Sequence, residues 1–437
     1  MPERTIKVYK ADNSGLGSKP LQGSNVEPDS RPFHVTHKDL TYGLTGPGLG
    51  PNVRRYIGGY AKHVQLYGDG RLCKTSPHSS GWIEFPDLFH FTQHTVGCAI
   101  ISAHFGSDLL RIHSGFMDDL WAVDAGFPWF ARCVPRFLRP GPYRARDRLI
   151  SNLMDWYAYA RDRFDGSAID EDGDGDPAWG SGLSRRRQKT LREIREHDDR
   201  AIASLDLGHS WGLTKTLGTN RIHNKPNDSQ PDKNILDLLD PKVLQSNSLL
   251  CSIYAETLRL HGTSHLIFRA SADAHLGRWL LPRGSIGLIS PGVLHQDAKF
   301  WNTCDGQHPI SEFWSDRFLV YPNDPNSGPV SPVYRDISYS SPKKRQDNVD
   351  NDNNQPYFTM DGTEGAWYPY GGGEGICLGR FLAKNSILAT LAYLVLEFDI
   401  EPQVESMVVN SWRFGLSVNQ PRYTTPFKIR RRPSDKE

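Results

Sequence analysis

The sequence predicts a mainly α protein with small β-sheets, an α+β chain, on three observations. Apolar residues recur at every third or fourth position through much of the first half. From about residue 262 the texture changes to short runs of β-formers broken by Pro and Gly, as in HLIFRAS and RWLLPRGSIGLIS. Near the end, KNSILATLAYLVLEFDI returns to helical spacing through Phe398.

Composition bounds the rest. The 437 residues are 38% hydrophobic and 23% charged, close to globular averages. With 51 basic and 50 acidic residues the net charge is +1, so no excess points to nucleic acid or to an anionic membrane. Six cysteines without CxxC pairing form neither a zinc framework nor a secreted disulfide scaffold, and neither zinc nor calcium is expected. Met1 to Lys10 is charged and polar, which lacks the apolar core of a signal peptide or a spanning helix.

In order along the chain, residues 1 to 55 are rich in Gly, Pro, Asn and Ser and read as loop. Amphipathic helices are expected from Phe85 to Leu109 and from Asp147 to Phe164. Asp170, Asp172, Asp174 and Gly175 match the first half of an EF-hand loop. The twelfth position is Ser181 instead of a bidentate Glu, however, so a solvated interhelical loop is expected. The run SRRRQKTLREIREHDDR reads as an exposed helix face, and AIASLDLGHSWGLTKTLGTN as a less charged helix. A break at Arg221 to Asp232 precedes renewed helical periodicity up to Gly262. The Asn- and Asp-rich stretch 322–365, with SPKKR inside it, reads as a polar surface insertion, and FGLSVNQPRYTTPFKIRRR as terminal strands and turns.

The segment with the most specific chemistry is Trp367 to Ala383, WYPYGGGEGICLGRFLA. Glycines 371 to 373 let the backbone turn tightly and approach a bulky planar group that side chains would block. Cys377 follows at the opening of a helix, where N–H groups and the macrodipole lower a thiol pKa and favour thiolate. Gly379 and Ala383 keep bulk off the helix face nearest the sulfur. A thiolate held against a flat cofactor is what cysteine ligation of haem requires, and a buried structural cysteine in a Gly-rich turn is the alternative.

This segment resembles the haem-binding loop of the cytochrome P450 family, with Tyr370, Gly371, Gly373, Cys377, Gly379, Arg380 and Ala383 at the motif positions. Two upstream motifs fall in the family's order. Glu256-Thr-Leu-Arg259 fits its Glu-x-x-Arg helix, and Arg317 in FWSDRF would complete a three-member charge network. Arg269 and His295 stand where related enzymes place donors towards haem propionates, a satisfied structural histidine being the alternative for His295. The Gly-Gly-Gly loop, the long insertion before it and the FGLSVNQP ending resemble fungal members related to the sterol 7-alpha-hydroxylase and prostacyclin synthase branch.

The resemblance implies a cytochrome P450 fold over a single domain, 1–437, incomplete at the N-terminus. It also implies haem b ligated by Cys377, electrons from NADPH through a cytochrome P450 reductase, and hydroxylation or other oxidation of a lipophilic small molecule in fungal secondary metabolism. Phe414, Gly415 and Leu416 would contact substrate. The endoplasmic reticulum membrane is the family habit, while a chain with no spanning segment could instead be cytosolic or peripheral. The sequence departs from the family pattern in three places. The membrane anchor and first helix and sheet region are missing. The distal helix lacks the usual acid and alcohol pair, leaving Asn220 and Thr219 as proton-delivery candidates. Gly375 stands where a propionate-binding Arg or His is common. These departures keep open an isomerase or dehydratase working without external electrons, and a non-catalytic truncated paralogue.

Overall fold

The computed structural model describes residues 1–15, 19–24, 27, 31–68, 81–217, 238–338, 355–404, 406–413, 415, 416 and 418–432. They form two compact units. The first comprises Met1–Leu239, Glu374–Val408 and Pro421–Glu437, and the second Asp240–Gly373 with Val409–Gln420.

The first unit is built on helices Leu49–Gly68, Leu88–Phe105, Asp199–Leu217 and Arg380–Glu397. Leu88–Phe105 starts at Asp87, whose carboxylate accepts from the Phe89 N–H at 3.1 Å. It buries Phe91, Val96, Ile100, Ile101 and Phe105, on nearly every side, as a central helix must. Gly106 ends it at φ +85°, and a Cβ there would lie 2.3 Å from the Pro177 carbonyl oxygen, so the expected helix to Leu109 breaks into two. Helix Arg380–Glu397 packs on Leu49–Gly68 through a buried Tyr56–Thr390 hydroxyl pair at 2.6 Å and the Tyr60 and Tyr393 rings 5.7 Å apart. A three-stranded antiparallel sheet, in the order Ile83–Phe85, Phe427–Arg431, Phe398–Pro402, closes one side.

Three expectations fail here. Residues 1–55 are largely helical, with Glu3–Ala11, Pro32–Leu44 and the start of Leu49–Gly68. Pro32 and Pro51 sit in first turns, where the missing N–H costs nothing, and Gly46 to Gly48 make the turn between. The Asp170–Asp176 loop is guanidinium-bound, not solvated. Arg55 holds Asp170 at 3.0 Å and Asp174 at 2.6 Å, Arg54 holds Asp172 at 2.7 Å, and Arg185 holds Asp176. The charge-rich helix Gly182–Glu193 is not simply an exposed face, because Arg187 is buried in an ion pair with Asp206 at 2.8 Å, which also accepts from the Tyr157 hydroxyl.

The second unit carries helix Ser248–His261 and three two-stranded antiparallel sheets, Leu266–Arg269 with Ile286–Ile289, Ala274–Leu276 with Trp279–Leu281, and Leu319–Val320 with Tyr357–Phe358. Its core centres on Trp301 and Phe318, both fully buried. The ends of the 322–365 stretch join that core. Val330 bridges to Trp301, and Asn302 donates to the Asn326 and Gly328 carbonyls at 2.7 and 2.8 Å. Residues 339–354, including SPKKR, lie outside the described residues. Among the described residues no helix is long and apolar enough to cross a membrane.

Candidate functional site

The chain passes from the second unit to the first within the glycine-rich segment, between Gly373 and Glu374. On the first unit, Cys377 is exposed and two residues ahead of Gly379, the N-cap of helix Arg380–Glu397. The Gly379 and Arg380 N–H groups donate towards its sulfur, and the Arg380 guanidinium donates to the Cys377 carbonyl at 2.9 Å. Ala383 closes the first turn through its N–H to the Gly379 carbonyl at 2.8 Å. The thiol pKa was expected to fall. Desolvation on the protein side instead pushes it up from its ordinary value, outweighing the two N–H groups and the Arg380 charge. A sulfur met by N–H donors on an exposed residue suits a soft metal ion, whose charge then supplies the missing stabilisation of thiolate.

On the second unit, Gly371 and Gly373 adopt φ +77° and +62°, which side-chain-bearing residues seldom do. The aromatics before them strap the segment to helix Ser248–His261. Trp367 Nε1 donates to the Ala255 carbonyl at 3.3 Å, and the Tyr370 hydroxyl meets that of Tyr254 at 2.8 Å. His295 completes the strap. Its Nε2 accepts from the Tyr368 N–H at 3.0 Å, and its Nδ1 side faces the Arg259 and Gly262 backbone. Fully buried, with its pKa pushed down to about 4, it is a neutral, satisfied structural histidine, the alternative that its sequence context offered.

Glu256, Arg259 and Arg317 come together with no exposure at all. Arg259 grips Glu256 bidentately at 2.7 and 2.8 Å, and Arg317 Nε reaches the same carboxylate at 3.1 Å. Carbonyls of His295 and Ile310 accept from Arg259 and that of Asn302 from Arg317, and the Trp314 N–H donates to Glu256 at 3.2 Å. Burial lowers the Arg317 pKa, the Glu256 charge opposing it. The Ser248–His261 helix thus places its i, i+3 pair inwards, where water cannot screen it.

Of the other candidates, Arg269 lies exposed on its strand opposite Ile286. Gly415 and Leu416 are half-buried in a turn zipped to the end of helix Ser248–His261. His265 N–H donates to the Gly415 carbonyl at 3.0 Å, and Asn419 N–H to that of His261 at 2.9 Å. Thr219, Asn220 and Phe414 lie outside the described residues. Gly415 has φ +80°, and a Cβ there would stand 2.1 Å from His265 Nε2. Gly415→Ala is therefore expected to cost roughly 1–3 kcal/mol in urea unfolding, and a loss within experimental error would contradict the contact.

The Trp367 and Tyr254 contacts and the His265–Gly415 approach were missed from the sequence. Only the aromatic cluster WYPY before the glycines hinted at a strap. His295 and the fully buried His104, held at about 3 by burial and the Arg55 charge, carry a pH prediction. In the unfolded chain both take a proton below the ordinary 6.5, while the folded chain resists until about 4 and 3. The unfolded state then binds more protons, so stability should fall as pH drops from about 6.5 towards 4. A urea midpoint as high at pH 5 as at pH 7 would argue against both assignments.

Comparison with known proteins bears on family and fold. A cytochrome P450 monooxygenase of Humicola fuscoatra is 32% identical over 429 residues, an alignment covering 91% of this chain and 70% of that one. Another, of Hormonema carpetanum, is 28% identical over 426 residues, covering 91% and 72%. The structure of retinoic acid bound cyanobacterial CYP120A1 superposes with a TM-score of 0.58 over 99% of this chain and 84% of that one, at 12% identity, a likeness of fold alone. No family model matches the chain.

Proposed function

From the premise that this chain belongs to the cytochrome P450 family and is a haem-thiolate monooxygenase, we propose how its own residues serve that chemistry and what they act on. The observation that carries the reading is Cys377, an exposed residue whose sulfur is met by the Gly379 and Arg380 N–H groups at a helix start. Cys377 would hold the iron of haem b. Gly371 and Gly373 would keep side chains off the macrocycle, and Arg269 would pair with a propionate. The haem, when bound, supplies oxygen activation, with electrons drawn from NADPH through a cytochrome P450 reductase.

The remaining tasks fall to the polypeptide. Asn220, with Thr219, is the proposed proton donor on the distal side. Gly415 and Leu416, with Phe414, would hold the substrate, and the bonds from His265 and His261 fix where that turn sits. The Glu256–Arg259–Arg317 network touches no reacting atom in this reading and positions the strap that precedes Cys377. We take the chain, 1–437, to act as one catalytic domain, with 322–365 as an insertion. The substrate is a lipophilic small molecule of fungal secondary metabolism, and the working location the surface of the endoplasmic reticulum membrane.

The test is reconstitution of purified haem-loaded protein with reductase, NADPH and lipophilic terpenoid, polyketide or alkaloid candidates. Product bearing one added oxygen, formed only with NADPH, supports the reading. Conversion of an oxygenated substrate without reductase would instead identify an isomerase or dehydratase.

A further inference from the structure

Helix Leu88–Phe105 carries a cluster of metal-ligating groups far in sequence from Cys377. His90 and His94 stand four residues apart on it, and so on one face. Their ring centroids are 4.4 Å apart. Beside His94 lies Asp118, in the first turn of helix Phe116–Ala131. Gly97 lets the two helices approach so closely, since a Cβ there would stand 2.5 Å from Met117 Cε and 3.0 Å from the Trp121 ring.

His94 Nε2 and Asp118 Oδ1 are 3.7 Å apart, too far for a hydrogen bond. Two ligand atoms on a tetrahedral zinc ion, each bonded at about 2.0–2.1 Å, stand about 3.3 Å apart, so the gap is close to the spacing of metal ligands. Burial lowers the His94 pKa and the neighbouring His90 adds to the fall, against the Asp118 charge, which leaves the ring neutral at pH 7 as a metal ligand must be. Cys98, one turn further along, stays outside the set. Burial, with the Asp118 charge adding, pushes its thiol up to about 11, so it keeps its proton. Among the described residues no three such side chains already converge on one point, so one of them must turn to close the site. His90 and Asp118 are both exposed and turn without disturbing the core.

We propose that His90, His94 and Asp118 bind a zinc ion that ties helix Leu88–Phe105 to helix Phe116–Ala131, with water in the fourth position. Two imidazoles and a carboxylate suit zinc, whereas calcium and magnesium ask for oxygen ligands throughout. The cysteine pattern, from which no zinc was expected, does not bear on this site, because it uses no cysteine and takes its third ligand from a separate helix. The inference rests on these two helices and not on the haem reading.

Calorimetric titration of the purified full chain, free of any histidine tag, with zinc chloride tests it. A saturable zinc site should appear that magnesium at the same concentration does not occupy. The double variant H90A/H94A and the single variant D118N change no fully buried side chain. Each should weaken that site by at least about tenfold, with zinc-free melting curves unchanged. Zinc should raise the melting temperature of the parent and leave that of H90A/H94A where it was. Four results would overturn the proposal: no saturable zinc binding, zinc binding unchanged in H90A/H94A, magnesium binding as tightly as zinc, or D118N binding zinc as the parent does, since the tie between the helices would then be absent.

Discussion

Cys377→Ser is expected to remove completely the red-shifted Soret band that the reduced, haem-loaded protein gives with carbon monoxide. The band requires an anionic sulfur on iron. Serine has nearly the same size, so the turn at Gly379 and the helix Arg380–Glu397 should form as before. Its hydroxyl, however, is a neutral, hard donor that N–H groups from Gly379 and Arg380 cannot convert to an anion near neutral pH. Because Cys377 is exposed, the exchange opens no core cavity, and the melting curve of the variant should overlay that of the parent. A band that survives the substitution would place the iron on another ligand and remove the basis for the proposed function.

Glu256→Gln should have the largest effect on stability. The carboxylate answers two guanidinium groups at once, and all three side chains have no exposure. Without its charge, two cations remain in a region of low dielectric, with only the carbonyls of His295, Ile310 and Asn302 to solvate them. Arg317 Nη2 already meets no acceptor among the described residues, so the site has no spare capacity. Breaking a buried ion pair from one side costs about 3–5 kcal/mol. At about 2–4 °C per kcal/mol for domains of roughly 150–250 residues, the melting temperature should fall by roughly 10 °C. The same loss should loosen the Tyr368–His295 strap, since Arg259 bonds the His295 carbonyl at 2.7 Å. A shift of only a degree or two would mean that water reaches the network, and would sink its description as buried.

What could be read without coordinates was local or carried by chemistry at fixed spacing. The helix after Cys377 is legible because its apolar residues repeat at helical period from Leu382 to Leu394, and the strands near 266 and 286 because β-formers sit between Pro and Gly. Gly371 and Gly373 were legible because a positive φ admits little else. Charged and polar residues were misjudged, for one reason. Whether a charge is solvated depends on which residue, far away in the chain, reaches it. Arg187 needs Asp206, and the Asp170–Asp176 carboxylates need Arg54, Arg55 and Arg185, none of them a sequence neighbour at helical spacing. His295 likewise became a peg only because packing placed the Tyr368 N–H against it. Sequence alone thus determined the family and singled out Cys377 as the candidate thiol for its chemistry. Tertiary structure decided which polar groups are buried, because burial is a property of distant partners and not of the residue itself.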